Sequence, residues 1–404
     1  MTRLGIEHRR MPGLLAAVAL TLACGSPTVS TSSAPAPAVS PRPAVAVAVA
    51  QSAPRPPAEP ERDSHGLPDR LSDAEFWKIA TDISEPGGYF RIEDNYTSNE
   101  MEVGQLYTLL RDQHVSGGVY LGVGPEQNFT YIAAVRPKMA FIIDIRRQAA
   151  MQHYMFKAIF EMARDRADFI SLLFSKPRPA GLDSTTSIQK MWEAYRPVAT
   201  DSTMGNRTYA GILERLTKMH GFTFSADELD KLRAVYDAFY YYGPSITTRG
   251  GAGGFGNRGG DFTDLTGYAT DASGQPRSFL STEENFRTVK SLHDRNLILP
   301  ITGDFGGPKA IRAIGAYLKA HEGVVHAFYV SNVEQYLFGD GADRAFYANV
   351  ATLPVDSMSV FIRPYSMRRG GGGPTESLCP IGPFIQAAVA GRVMSNDAAL
   401  ACAR

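Results

Sequence analysis

The chain has 404 residues, 44% of them hydrophobic and 20% charged, and its 41 basic and 41 acidic side chains balance to zero net charge. That length is enough for one large buried core or two small ones. The charge balance argues against nucleic acid as a main partner, because phosphate binding needs a basic surface excess. No HExxH, no Cys/His metal spacing and no Ser-His-Asp order occurs in the chain, which disfavours zinc sites and hydrolase triads.

Arg3, Arg9 and Arg10 precede an apolar run at 14–22 that is too short to span a bilayer but has the form of a signal peptide's central region. Residues 1–23 are therefore expected to be removed on export. The run closes on Thr21-Leu22-Ala23-Cys24-Gly25-Ser26, which resembles a bacterial lipobox. That resemblance implies lipidation of Cys24, so that a lipid anchor is the chain's only contact with the membrane; an ordinary secretory signal with an incidental cysteine is the alternative. Residues 24–69 are rich in Pro and Ala and poor in large apolar groups, a composition that cannot bury enough surface to fold and reads as an extended tether.

Ser72 and Glu75 have capping-box spacing and open an amphipathic helix carrying Phe76, Ile79, Ala80 and Ile83. Residues 89–102 are polar, aromatic and irregular in pattern, and a helix from 103 to 113 follows. Residues 117–147 carry the chain's main signal. An apolar run at 119–121 meets a turn with Gly122, Gly124 and Pro125; a short helix and a second apolar run at 139–143 follow, ending on Asp144, 20 residues after Gly124. This is a βαβ unit. Glycine lets a ligand approach the backbone at the first strand's carboxyl end, and the acid closing the second is placed to accept hydrogen bonds from ribose hydroxyls.

Met151, Met155, Ile159 and Met162 mark the next helix as core packing, with His153 expected capped or exposed and Arg146-Arg147 a solvated pair unless one meets Asp144. Helical patterns at about 188–195, 209–219 and 225–242, with no convincing strand, form a helical insertion over about 176–245. Its Phe239-Tyr240-Tyr241-Tyr242 cluster either floors a substrate pocket or edges the insertion's own core. The glycine-rich stretch 249–260 reads as a mobile lid or a linker.

Two more strands, 297–302 and 324–330, end in Gly303-Asp304-Phe305 and Ser331-Asn332-Val333-Glu334, and 358–363 reads as a late strand. In a parallel sheet these ends share one edge, so Gly122, Asp144, Asp304, Asn332 and Glu334 are expected to converge on one crevice. Clustered carboxylates there shift one another's pKa, which makes Asp304 and Glu334 the candidate general bases. The alternative is that Asp304 and Asn332 only cap the helices that follow. Residues 367–404 are read as a glycine linker and a helical tail, whose Cys379 and Cys402 are either a disulfide, as export favours, or two buried thiols.

Tyr120-Leu121-Gly122-Val123-Gly124-Pro125-Glu126, with Asp144, resembles the first motif of the class I S-adenosylmethionine-dependent methyltransferases. GDFGGPKA and YVSNVEQYLF also look like a bacterial methyltransferase-like family without a settled function, over most of 71–364. The resemblance implies an α/β fold, Rossmann-like, with a mostly parallel sheet, flanking helices and a helical insertion over 70–366. It also implies S-adenosylmethionine as cofactor, held by Gly122, Gly124, Glu126, Asp144 and Asn332. Asn95, Tyr96 and Asn99 are expected in the segment covering that crevice. Two positions depart from the pattern: Tyr120 replaces an acid, and Glu126 replaces the third glycine, where a side chain would obstruct the cofactor's methionine end.

Two functions follow. One is an exported, envelope-tethered methyltransferase-like enzyme. The other is a non-catalytic envelope lipoprotein whose crevice or surface holds a small metabolite or a protein. Location separates them, because S-adenosylmethionine is made in the cytosol.

Overall fold

The computed structural model describes residues 66–92, 94–251, 260–363 and 378–402. The expected signal peptide, Cys24, the tether up to residue 65, most of the glycine-rich stretch 249–260 and most of the glycine linker lie outside them.

Six strands form one sheet: β1 (Val119–Gly122), β2 (Met139–Asp144), β3 (Ile298–Thr302), β4 (Val325–Tyr329), β5 (Val360–Ile362) and β6 (Leu378–Pro380). Their order is β3-β2-β1-β4-β5-β6, parallel throughout except for β6, which runs antiparallel to β5. The fold is thus α/β, a mostly parallel sheet flanked by helices. β1, β2 and β3 are buried at every position, which is why their sequences read as unbroken apolar runs rather than alternations. The edge strand β6 went unforeseen. It has three residues and ends on Pro380, so it carries no pattern, and its pairing of Phe361 with Cys379 is made only in the folded chain.

The chain leaves β2 through the helix Arg147–Met162, and the helical insertion occupies the interval before β3. Helices Ile188–Tyr195, Ser202–Leu213 and Ala226–Tyr242 lie there, the last opened by a capping box between Ser225 and Glu228. The insertion covers Arg147–Met162 so completely that every residue from Ala150 to Phe160 is buried. Its polar residues consequently need internal partners. Gln152 donates to the Tyr96 carbonyl (2.7 Å), and Lys157 pairs with Glu161 (2.6 Å). His153, expected capped or exposed, is instead buried with Nε2 2.8 Å from the Gly124 carbonyl. Arg146 and Arg147 are not a solvated pair either: Arg146 binds Asp144 and Arg147 binds Glu228. Phe239 is buried, edge-on to Phe156 and Phe262 and tilted against Phe174, so it joins the insertion to the core rather than flooring a pocket, while Tyr241 is exposed.

Beyond β5 and β6 the chain ends in helices Ile381–Val389 and Asn396–Leu400. Cys379 in β6 and Cys402 form a disulfide, with Cα atoms 5.6 Å apart. It ties the sheet's antiparallel edge to the chain's end.

Candidate functional site

The turn after β1 is built around Asn128. The Tyr120 hydroxyl donates to Asn128 Oδ1 (2.9 Å), and Asn128 Nδ2 lies 3.0, 3.1 and 2.7 Å from the carbonyls of Val123, Gly124 and Pro125. The turn's carbonyls are thus drawn into the protein. Each glycine has its own cause. A Cβ on Gly122 would sit 1.9 Å from Asn128 Oδ1, and Gly124 has φ +77°. Tyr120, where the resemblance calls for an acid, is the residue that positions Asn128.

A crevice of about 260 Å³ opens at the carboxyl ends of β1 to β4. It lies where the chain order reverses between β1 and β4, the position at which open α/β sheets bind ligands. Gly124, Asp144, Asp304, Ser331 and Asn332 line it from the strand ends, and Phe90, Asn95 and Asn99 from the covering segment. Tyr96, expected beside them, turns its ring against Phe239 instead.

Asp144 is held from one side. Arg146 donates to Oδ1 from its backbone nitrogen and Nε (2.9 Å each) and to Oδ2 from Nη2 (2.7 Å). Arg146 Nη1 reaches the Ile92 carbonyl of the covering segment (3.2 Å), so one guanidinium ties the acid to the cover. Asp304 Oδ1 accepts from the Gly306 amide (2.9 Å) and does not cap the next helix. Glu85 does that: its Oε1 accepts from the amides of Lys309 (2.9 Å) and Ala310 (2.8 Å), and its Oε2 from the backbone amide of Asp304 (3.1 Å). Asn332 likewise makes no side-chain cap on the helix Val333–Asp340. Both crevice residues are therefore free of the capping role that was their alternative.

Three expected site residues lie elsewhere. Gly122 sits beneath the turn, against Asn128. Glu126 points away from the crevice, buried, with both carboxylate oxygens 3.2 Å from the Ser98 amide, and burial pushes its pKa up to about 8. The obstruction expected at this position is absent. Glu334, expected as a base, is a buried strut: Arg363 donates from Nε to Oε2 (2.6 Å) and from Nη2 to Oε1 (2.9 Å), and the Tyr347 hydroxyl donates to Oε1 (2.8 Å).

Sequence reasoning missed Glu100 and Ser331. Glu100 is buried in the covering segment, and its carboxylate accepts from Ser331 Oγ (2.6 Å) and Gln127 Nε2 (3.1 Å). Burial raises its pKa, partly offset by the hydrogen bonds from Ser331, Tyr329 and Gln127. Nothing in the local pattern marks a pair 231 residues apart. Among the described residues no group of His, Cys, Asp and Glu is arranged to hold a metal ion.

Residues 96–220 and 265–376, more than half of the chain, match a single family model, that of a domain of unknown function. The matched segments contain the first five strands and the strand ends that line the crevice; the gap between them falls on the helix Ala226–Tyr242 and the glycine-rich stretch. No curated protein matches the chain.

Proposed function

The chain belongs to the DUF7790 domain family, and we propose that its crevice is a small-molecule site for a nucleoside-bearing ligand, with S-adenosylmethionine the first candidate. The observation carrying this reading is that Gly124 and Asp144, the glycine and the acid of a nucleoside motif, line one crevice together with Asp304 and Asn332. The strand order supports a Rossmann-like fold, since it is that of doubly wound dinucleotide-binding sheets. The withdrawal of Glu126 leaves the glycine turn open to a ligand. Methyl transfer is the reaction that the resemblance implies, and of the two expected bases Asp304 alone lines the crevice.

The test is calorimetry on the purified protein with S-adenosylmethionine and S-adenosylhomocysteine. Charge-assisted hydrogen bonds from ribose to Asp144 contribute about 1.5–3 kcal/mol each. Asp144→Asn is therefore expected to weaken binding by roughly one to two orders of magnitude without unfolding the protein. No heat from wild type at millimolar ligand would sink the nucleoside reading. The non-catalytic reading, a lipoprotein holding another metabolite or a protein, is favoured by Arg146, which already occupies both oxygens of the ribose-binding acid.

We also propose export and lipid anchoring at Cys24, supported by the arginine-led apolar run and by a disulfide, a bond that persists in oxidising compartments. One experiment addresses both. Mature protein denatured without reductant is expected to expose no free thiol; reduction should release Cys379 and Cys402 and leave Cys24 blocked by its thioether. A free thiol at position 24 would remove the anchor, and free thiols at 379 and 402 the oxidising compartment.

A further inference from the structure

Ser331 stands where β4 turns into the helix Val333–Asp340, and its φ is +46°. A residue with a Cβ adopts that left-handed conformation at a cost, and such strain concentrates at functional sites. Here the residue lines the crevice, and its hydroxyl donates to Glu100 Oε1 at 2.6 Å, the length of a hydroxyl bonded to a carboxylate. Glu100 is 5% exposed, and its side-chain hydrogen-bond partners among the described residues are neutral: Ser331, Gln127 and Tyr329. A carboxylate buried without a cation is poorly solvated and hence a stronger base. A serine on a strained strand-to-helix turn at the carboxyl edge of a sheet is the arrangement that presents a nucleophile, with the next backbone amide available to the oxyanion. That amide belongs to Asn332, at the amino end of a helix whose dipole favours negative charge.

We infer that Ser331 is a nucleophile and Glu100 its base, acting on an ester or another activated acyl group held in the crevice. Oγ bonds to the carbonyl carbon as its proton passes to Glu100 Oε1. The ester C–O bond then breaks, and the proton moves from Glu100 to the departing alkoxide. Water attacks the acyl-serine, giving one proton to Glu100, which returns it to Oγ as the carboxylic acid leaves. No histidine is needed, because the carboxylate touches the hydroxyl directly. This inference does not rest on the nucleoside reading, and either can fail alone.

The test treats the purified protein with a fluorophosphonate. Oγ–P forms, P–F breaks, fluoride leaves and the proton goes to Glu100. One adduct per chain is expected, mapped by mass spectrometry to Ser331. Ser331→Gly removes the hydroxyl and relieves the positive φ, so it should remain folded, with Tm equal or higher, and take no label. Glu100→Gln keeps a hydrogen-bonding group but no base, and its labelling rate should fall by about 100-fold or more. The wild-type rate should rise with pH as Glu100 ionises, in the field of Glu102 and the Tyr120, Tyr131 and Tyr329 hydroxyls that face it; in Glu100→Gln that rise should vanish. Hydrolysis of p-nitrophenyl acetate should follow the same order. Folded wild type without an adduct at Ser331, or equal labelling of Glu100→Gln, overturns the inference.

Discussion

Replacing Arg363 with alanine is expected to lower the stability of the fold by about 3–5 kcal/mol, read as a shift of the urea midpoint at constant slope. Arg363 and Glu334 are 2% and 3% exposed in their side chains, so the pair is almost fully out of water. The guanidinium also lies over the rings of Phe361 (4.5 Å) and Phe384 (4.4 Å). One side chain thereby joins the end of β5, the helix Val333–Asp340 and the helix Ile381–Val389. Its removal strands a buried carboxylate whose remaining side-chain partner among the described residues is the Tyr347 hydroxyl. The double variant Arg363→Met with Glu334→Leu deletes both charges and is expected to cost less than Arg363→Ala alone, because the large term is the uncompensated charge and not the lost pair. A midpoint for Arg363→Ala within 1 kcal/mol of wild type, on the order of a surface substitution, would show that Glu334 is not held as described.

Glu126→Gln is expected to stabilise the protein increasingly as pH rises. The carboxyl titrates at about 8 in the fold and near 4.3 in an unfolded chain. Below the unfolded value both states hold the proton, and the group does not affect stability. Between the two values the folded state retains a proton that the unfolded state has released, so wild-type stability falls with rising pH until about 8 and the loss is complete above it. The gap sets an upper bound of about 5 kcal/mol, since each pKa unit is about 1.4 kcal/mol. Glutamine offers the same accepting oxygen to the Ser98 amide and no charge. The difference in unfolding free energy between Glu126→Gln and wild type should therefore be small at pH 4.5 and reach on the order of a few kcal/mol at pH 8.5. A difference independent of pH would mean that Glu126 ionises freely in the fold. Glu126→Gly should leave a cavity beneath Ser98 without opening the crevice further, because this side chain never enters it.

The parts of this protein set by short stretches of chain were legible in the sequence. The buried strands β1 to β3 announce themselves as apolar runs because both of their faces are covered, and Ser72 with Glu75 and Ser225 with Glu228 define helix starts through bonds spanning three residues. The edge on which a ligand site would lie was legible too, since parallel strands bring their carboxyl ends to one side whatever their order. Tertiary structure decided what each side chain at that edge does. Glu334 and Asn332 are two residues apart on one strand-to-helix turn, yet one meets Arg363 in the interior and the other lines the crevice. Glu126 was read as an obstruction from its place beside Gly124, but the loop carrying Ser98 draws it away. Glu85, just past the first helix, and Glu100, in the irregular segment 89–102, close on partners more than 200 residues away. Local pattern encodes backbone conformation and the buried face, because those follow from neighbours a few residues apart. The pairing of buried charges depends on which distant segments the closed sheet brings together, and that information exists only once the chain has folded.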